Sequence, residues 1–331
     1  MSGLSTITGG AGFIGSHLVE LLTSLGRAVR VVERPGADVS HLPSGVEVLF
    51  ADVRRREGLA DALRGSRFVY HLAANPNLWL RDRREFDAVN NVGAVNVLDA
   101  ALEVGAERIL HTSTESILTK ENASGLIDED VEIVESDAVG PYCLSKLRAE
   151  NHAMKLAREG RPVVVANPTM PVGPGDRGPS PPTRLIMDFC RGALPAFIDC
   201  TLNLIDVRDV ALGLLRVLEV GRPGRRYLLG AANLSLAELM AILSQITGIP
   251  APRRRVPYAF GLGFAYLSEF WADHVTGKPP KASVTGVKLA RRIMHFDVSR
   301  SLRELELTPR PIARSLADSV AWLQLQERNN R

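Results

Sequence analysis

Gly9-Gly10-Ala11-Gly12-Phe13-Ile14-Gly15 follows an apolar run at residues 4–8 and opens an amphipathic run at residues 12–25. The first run reads as a buried strand. The second reads as a helix whose apolar stripe is Ile14, Leu18, Leu21, Leu22 and Leu25. Gly9, Gly12 and Gly15 suit a strand-to-helix turn in three ways. One permits the sharp turn, the next lets the backbone approach a pyrophosphate, and the third packs helix close to strand. The helix amino end adds unpaired N–H groups and partial positive charge. Such a pattern is weak by itself, but its place directly after a strand sets it above a plain glycine turn. It implies a bound dinucleotide, with Phe13 and Ile14 beside the phosphates.

Outward from this loop the same alternation continues. Residues 29–33, 46–51, 68–72, 108–112 and 162–166 read as strands, and residues 89–104 and 141–158 as helices. Strand–helix–strand repetition predicts an α/β fold, a Rossmann doubly wound parallel sheet with right-handed crossovers. After Asn167 the character changes. Residues 168–182 are dense in proline and glycine and read as loop, residues 204–210 as a return to the first domain, and residues 236–247 and 312–326 as helices. The expected division is a dinucleotide-binding domain of residues 1–167 and 202–229, with a smaller, mostly helical substrate domain of residues 168–201 and 230–331.

Composition is that of an ordinary globular chain. Of 331 residues 45% are hydrophobic and 23% charged, with a net charge of +3. No basic stripe interleaved with aromatics suggests nucleic acid. Cys143, Cys190 and Cys200 are too few and too widely spaced for a disulfide framework or a metal site, which fits a reducing, cytoplasmic setting. No signal peptide is read, and the longest apolar stretch, residues 256–272, is broken by Pro257, Ser268 and Glu269.

The second predicted strand ends at Glu33-Arg34. A carboxylate there would accept hydrogen bonds from the ribose hydroxyls of NAD, and an arginine would meet the extra phosphate of NADP. With Glu33 turned outward and Arg34 stacked on adenine, the balance tips to NADP. NAD, and two merely solvated loop charges, stand as alternatives. Asp52, followed by Val53, is placed to reach the adenine amino group or to cap a helix.

Tyr142-Cys143-Leu144-Ser145-Lys146 puts a phenol and an ammonium on one face of a helix. His111-Thr112-Ser113-Thr114 brings hydroxyls to the carboxyl edge of the sheet, where ligands bind in such folds. A free tyrosine has a pKa of about 10, and a lysine cation beside it favours phenolate. Tyr142 would then exchange a proton with a substrate hydroxyl while hydride passes to or from a nicotinamide. Thr114 would steady the same oxygen and Lys146 would bond the ribose. Either residue alone would pass for a core tyrosine or a surface lysine; the set does not.

These residues resemble the extended short-chain dehydrogenase/reductase family, the NAD-dependent epimerase/dehydratase type. The resemblance covers almost the whole chain. It extends to His71-Leu72-Ala73-Ala74, Asn90, Asn167-Pro168-Thr169 and Val172-Gly173-Pro174. Leu78-Trp79, residues 179–185, Leu194-Pro195-Ala196 and Asn203-Leu204 bring it nearest to the hopanoid-associated sugar epimerase and dihydroflavonol reductase-like subgroup. The resemblance implies Thr114, Tyr142 and Lys146 as the catalytic set, with Ser113 the neighbour to test. It implies Leu72, Ala73 and Ala74 on the nicotinamide side, Asn90 as a brace and Pro168 over the nicotinamide, and a homodimer through two helices per subunit. Asp206 stands where the family usually has histidine. Thr114-Glu115-Ser116 replaces the Thr-Asp-Glu of the sugar dehydratases, which disfavours dehydration and leaves Glu115 as a lone acid or base, or simply solvated.

Candidate substrate residues are Asn75, Trp79, Glu115, Ser116, Thr169, Met170 and Arg184. Trp79 is favoured as core and Arg184 as solvated. No cluster suits a nucleotide diphosphate, which shifts the expectation from a UDP-sugar toward a ketone or secondary alcohol on a larger, greasier molecule: a sugar, a polyol or a lipid-linked substrate. A redox-neutral epimerase with retained NAD and a non-catalytic nucleotide-binding protein are the alternatives. Arg253-Arg254-Arg255, followed by Tyr258, Phe260, Leu262, Phe264, Leu267, Phe270 and Trp271, invites a peripheral membrane contact. Packing of that helix on the small domain is the reading preferred to it.

Overall fold

Apolar runs and amphipathic segments become strands and helices in turn in a computed structural model, which describes residues 3–121 and 124–329. The strands of the first half are β1 (Ser5–Thr8), β2 (Val29–Glu33), β3 (Glu47–Phe50), β4 (Phe68–His71), β5 (Arg108–Thr112) and β6 (Val163–Pro168). After them come β7 (Met170–Val172), β8 (Ala196–Phe197), β9 (Thr201–Asp206), β10 (Arg226–Leu229), β11 (Ala232–Ser235) and β12 (Arg254–Arg255). The helices of the first half are α1 (Phe13–Ser24), α2 (Leu59–Leu63), α3 (Arg84–Phe86), α4 (Gly93–Glu103) and α5 (Gly140–Arg158). They are followed by α6 (Pro181–Cys190), α7 (Val207–Val220), α8 (Leu236–Thr247), α9 (Tyr258–Trp271), α10 (Val284–Ala290), α11 (Ser299–Glu304) and α12 (Ile312–Asn329).

Seven strands form one parallel sheet in the order β10-β6-β5-β4-β1-β2-β3. Its strands are apolar on both faces because helices cover both. One face buries Ile7, Val31 and Leu110 against Leu18 and Leu22 of α1 and Leu214 of α7. The other buries Val69, Ile109 and Val163 against Leu98 of α4 and Ala153 of α5. The strand order reverses at β1, between β4 and β2, which opens a crevice at their carboxyl ends. This is the Rossmann arrangement expected from the sequence.

A second, three-stranded sheet, β11-β9-β7, packs with α6, α8 and α12 around Ile186, Phe189, Leu243, Leu316 and Val320. Helix α8 keeps the limits read from sequence because both ends carry local signals. Ser235 Oγ accepts from the Glu238 amide, Glu238 accepts from the Ser235 amide, and Gly248 closes the end at φ 75°.

Several expectations change. Residues 168–182 are not all loop: β6 runs on to Pro168, and β7 pairs with β9, a partner some 30 residues away that local composition does not reveal. Residues 204–210 do not return whole to the first domain. Asp206 caps α7 by accepting the Arg208 amide at 2.8 Å, so β9 ends there in the small sheet while α7 packs on the large one. The helix expected over 89–104 starts at Arg84 and passes through a π-helical turn, Asp87–Val92. The aromatic helix does pack on the small domain, against Ile198 and α10, but through its small side chains and not its aromatic ones. α9 buries its small residues, Gly261 and Ala265, and exposes Phe260 (75%) and Leu267 (72%). A Cβ on Gly261 would lie 2.3 Å from Ile198 Cδ1, so the close approach is made through glycine. The predicted domain limits at residues 1 and 331 lie outside the described residues. Among the described residues no helix is long and apolar enough to cross a membrane.

Candidate active site

The glycine loop connects β1 to α1 at the floor of the crevice. Gly9 holds φ at +75°, and a Cβ there would come within 2.7 Å of the Ala73 amide nitrogen. A Cβ on Gly15 would fall 2.1 Å from the Gly9 carbonyl. Both positions exclude any side chain, and the space above them remains free for a diphosphate. The groove over the loop measures about 610 Å³ and runs past Gly12, Phe13, Ile14 and Leu72 to Tyr142 and Lys146. A second hollow, about 400 Å³, continues between Glu33, Arg34, Asp52, Val53, Ala73 and Ala74. The two hollows together, floored by the glycine loop, fit a dinucleotide.

Glu33 is not turned outward. Its Oε1 accepts the Ala11 amide at 2.7 Å, which fastens β2 to the glycine loop. Burial raises its pKa, while the Ala11 amide and Arg34 oppose the shift. The carboxylate of Asp52 is engaged by Arg54 at 2.6 Å, and Arg54 reaches on to Glu85. Asp52 thus lines the second hollow with its carboxylate already paired. Asn90 lies in the π-helical turn. Its Oδ1 accepts the Asn75 amide at 2.7 Å and its Nδ2 donates to Ser145 Oγ at 3.2 Å, tying the loop after β4 to α5. π-Helical turns of this kind tend to occur at functional sites.

Beyond Tyr142 the groove opens into a cavity of about 280 Å³. Thr114, Glu115, Ser116 and Tyr142 line it together, and Ser180 and Thr201 add two further hydroxyls. Leu78, Met170, Leu202, Leu289 and Met294 line the rest, with several prolines including Pro168. Thr169 and Met170 stand in this wall, and Asn75 lies in the second hollow of the nucleotide groove instead. Trp79 and Arg184 are outside the lining. Trp79 Nε1 donates to Asp273 at 3.0 Å, and Arg184 donates to Asn77 Oδ1 at 2.9 Å and to the Pro179 carbonyl.

Thr114 Oγ1 donates to Glu115 Oε2 at 2.9 Å and lies 3.1 Å from Ser116 Oγ. Burial pushes the Glu115 carboxyl up to about 7, against the pull of the Thr114 hydroxyl and nearby amides. Burial, with the Glu115 charge next, also raises Tyr142 above its ordinary value, and the Thr114 and Ser116 hydroxyls oppose it. Lys146 does not lower the phenol as expected. Its Nζ donates to the Thr112 carbonyl at 2.7 Å, and burial depresses its pKa to about 8. Buried His71 is held neutral, its pKa lowered to about 3 by burial and the Lys146 charge; it hydrogen-bonds Thr8 at 2.8 Å. Thr112 Oγ1 and Ser113 Oγ are buried beside the groove without partners among the described residues and offer further bonds to a bound group.

One functional group escapes the sequence reading. Glu150 is fully buried on α5, accepts from Asn167 Nδ2 and Arg226 Nε at 2.6 Å each, and raises the Lys146 pKa against burial. Asn167 also donates to the Thr114 carbonyl at 3.2 Å, fixing the loop after β5. The available signal was spacing: residues 142, 146 and 150 share one helix face.

Residues 5–230 match the sequence model described as the NAD dependent epimerase/dehydratase family. A protein of Synechocystis sp., named provisionally as a dihydroflavonol 4-reductase, is 35% identical over 96% of this chain and 94% of its own. Sterol demethylase protein B of Methylococcus capsulatus is 31% identical over 96% and 97%. The crystal structure of gox2253 matches at a TM-score of 0.86 and 32% identity, covering 98% of this chain and 99% of that one. DesIV, a dTDP-glucose 4,6-dehydratase of Streptomyces venezuelae solved with NAD, shares the fold at a TM-score of 0.79 and 23% identity, with 97% of each chain covered.

Proposed function

Because the chain belongs to the NAD dependent epimerase/dehydratase family, and is thus an NAD(P)-dependent enzyme, we propose that it interconverts a ketone and a secondary alcohol on a largely apolar carbon skeleton. The observation that carries this reading is the cavity beyond Tyr142. Tyr142, Thr114, Glu115 and Ser116 stand next to the nucleotide groove, most of the remaining wall is aliphatic, and among the described residues no lysine or arginine lines it. A nucleoside diphosphate would leave its charge unpaired against leucine, methionine and proline, at a cost of several kcal/mol. An apolar skeleton with one reacting oxygen matches the wall. Sterol demethylase protein B, a relative named for a sterol, agrees with an apolar substrate.

The nicotinamide, when bound, supplies or accepts hydride. Tyr142 supplies or accepts the proton of the reacting oxygen. Its raised pKa keeps the phenol protonated near neutrality, as a donor to a ketone requires. Thr114 holds the same oxygen through its hydroxyl. Lys146 anchors the loop after β5 through the Thr112 carbonyl and presents its cation to the groove. Glu33, fixed inward at the loop, is placed for ribose hydroxyls and against an added phosphate, so NAD is the proposed cofactor over NADP. A homodimer is carried forward with this reading.

Replacing Tyr142 with phenylalanine tests it. Turnover of ketone substrates should fall at least about a hundredfold, while affinity for NADH stays within about twofold. Unchanged turnover would remove the phenol from the reaction. An epimerase working through a transient ketone would instead copurify with tightly held NAD and consume none, which denaturing the protein and assaying released cofactor would reveal.

A further inference from the structure

We propose that the outer face of α9 docks on the surface of an anionic lipid bilayer. Residues 260, 264, 267 and 271 follow helical spacing and lie on one side. Phe260, Phe264, Leu267 and Trp271 are each more than half exposed there, flanked by Tyr266, Phe270 and Val275. The usual order is inverted: small residues face the protein and large apolar ones face outward. An exposed apolar patch of this kind marks an interaction site.

Charge identifies the partner. The two acidic side chains of this segment turn inward. Glu269 accepts the Val284 amide at 2.7 Å and pairs with Arg83, and Asp273 takes Trp79 Nε1 and Arg83. The stripe itself is uncharged, and cations stand at its ends. Arg253 and Arg254 precede it and Lys278 and Lys281 follow it, all exposed and without ion-pair partners among the described residues. Arg255 is shared with Asp199 at 3.4 Å.

At the amino end of α9 lies a polar hollow of about 500 Å³. Tyr258, Lys120, Lys288, Arg291 and Arg292 line it, and Glu121 is its one acid. Arg291 covers the Tyr258 ring, and Arg292 Nη1 is buried without a hydrogen-bond partner. A hollow with four cations is suited to a phosphate headgroup. Two copies of this face would oppose cation to cation, which disfavours a second chain as the occupant. Uncharged aromatics between cationic ends match the interface of an anionic leaflet, where rings sit at headgroup depth. Helix α10, which packs on α9, also lines the apolar cavity through Gly286, Leu289 and Ala290. Helix α10 therefore links α9 to the wall of the substrate cavity.

Vesicle flotation of the full chain tests this. Phosphatidylcholine vesicles are compared with vesicles of phosphatidylcholine and phosphatidylglycerol. The chain should float with the mixed vesicles and be released by added salt. Phe264→Ser with Leu267→Ser should lower partitioning at least about tenfold. Arg253→Ala with Arg254→Ala should lower it about tenfold on the mixed vesicles alone. Far-UV circular dichroism and NADH binding, expected unchanged, confirm that the variants fold. Absence of flotation, or flotation indifferent to both pairs of substitutions, overturns the proposal. So does a dimer in sedimentation velocity that Phe264→Ser with Leu267→Ser dissociates, since the occupant would then be a second copy. Flotation needs no turnover, so its failure leaves the proposed reaction standing, and loss of activity in Tyr142→Phe leaves flotation untouched.

Discussion

Glu115 sits where its protonation changes what Thr114 can do. As a carboxylate it accepts the hydrogen bond of the Thr114 hydroxyl, which leaves that hydroxyl only its lone pairs to offer. Once protonated it frees Thr114 to donate to a ketone oxygen. Ketone reduction should therefore slow as pH rises through about 7, and Glu115→Gln should flatten that part of the profile. The same group shapes stability. Its folded pKa of about 7 lies above the ordinary 4.5, so the folded chain holds a proton the unfolded chain has lost between those values. The contribution is fully present below about 4.5 and is lost as pH climbs to about 7, by at most about 3 kcal/mol. Thermal melts at pH 8 should show Glu115→Gln more stable than the parent; an equal or lower midpoint would contradict this. At the other end of the groove, Glu33→Ser removes the carboxylate proposed for the ribose hydroxyls of NAD. It should raise the preference for NADPH over NADH at least about tenfold, measured as the ratio of kcat/KM values. Tyr142, Lys146 and Thr114 were legible as residues because their types are few and their spacing periodic. Their mutual bonds were not. That Lys146 binds a carbonyl, and that Glu33 turns inward, depends on loops whose course no local pattern dictates.

Elements were legible where their ends carry chemistry. The turn from β1 to α1 is written in glycines, and α8 in its capping box and closing glycine. The π-helical turn before α4 left no such mark, since nothing in Asp87–Val92 distinguishes it from an ordinary helical turn. β7 and β9 were illegible for a different reason: segments of three and six residues, the first set among prolines, gain strand character only from a distant partner. The glycine turn yields the strongest prediction at this scale. Gly15→Ala pushes a methyl into the Gly9 carbonyl at 2.1 Å and must displace the loop. Cofactor affinity should drop at least about a hundredfold, by fluorescence titration with NADH, while the cavity beyond Tyr142 stays intact. Gly26→Ala, at a position with open space around it, provides a control that should leave affinity unchanged and shift only stability, because its φ of +70° strains alanine.

Across the whole molecule the site is held by a contact between distant parts of the chain. Arg226 on β10 meets Glu150 on α5 at 2.6 Å, and also donates to the Val131 carbonyl at 2.8 Å. Glu150 is wholly buried, so Arg226→Met strips it of its guanidinium partner, leaving only the Asn167 amide and the Lys146 charge, and should cost about 3–5 kcal/mol in denaturant unfolding. A loss below about 1 kcal/mol would show that the carboxylate finds another partner or a proton. The seven-stranded order was inferable in outline from the first half of the chain, but its outermost member, β10, was not. It arrives after an excursion of more than fifty residues through the smaller sheet. That ordering bears on biosynthesis. A ribosome that has released only the first two hundred residues holds a chain with β6 as a bare sheet margin and a glutamate waiting, without its guanidinium, beneath the lysine. The nucleotide half is complete only when translation has carried the polypeptide past residue 229, so a chain cut short within β9 would be prone to join edge to edge with its neighbours.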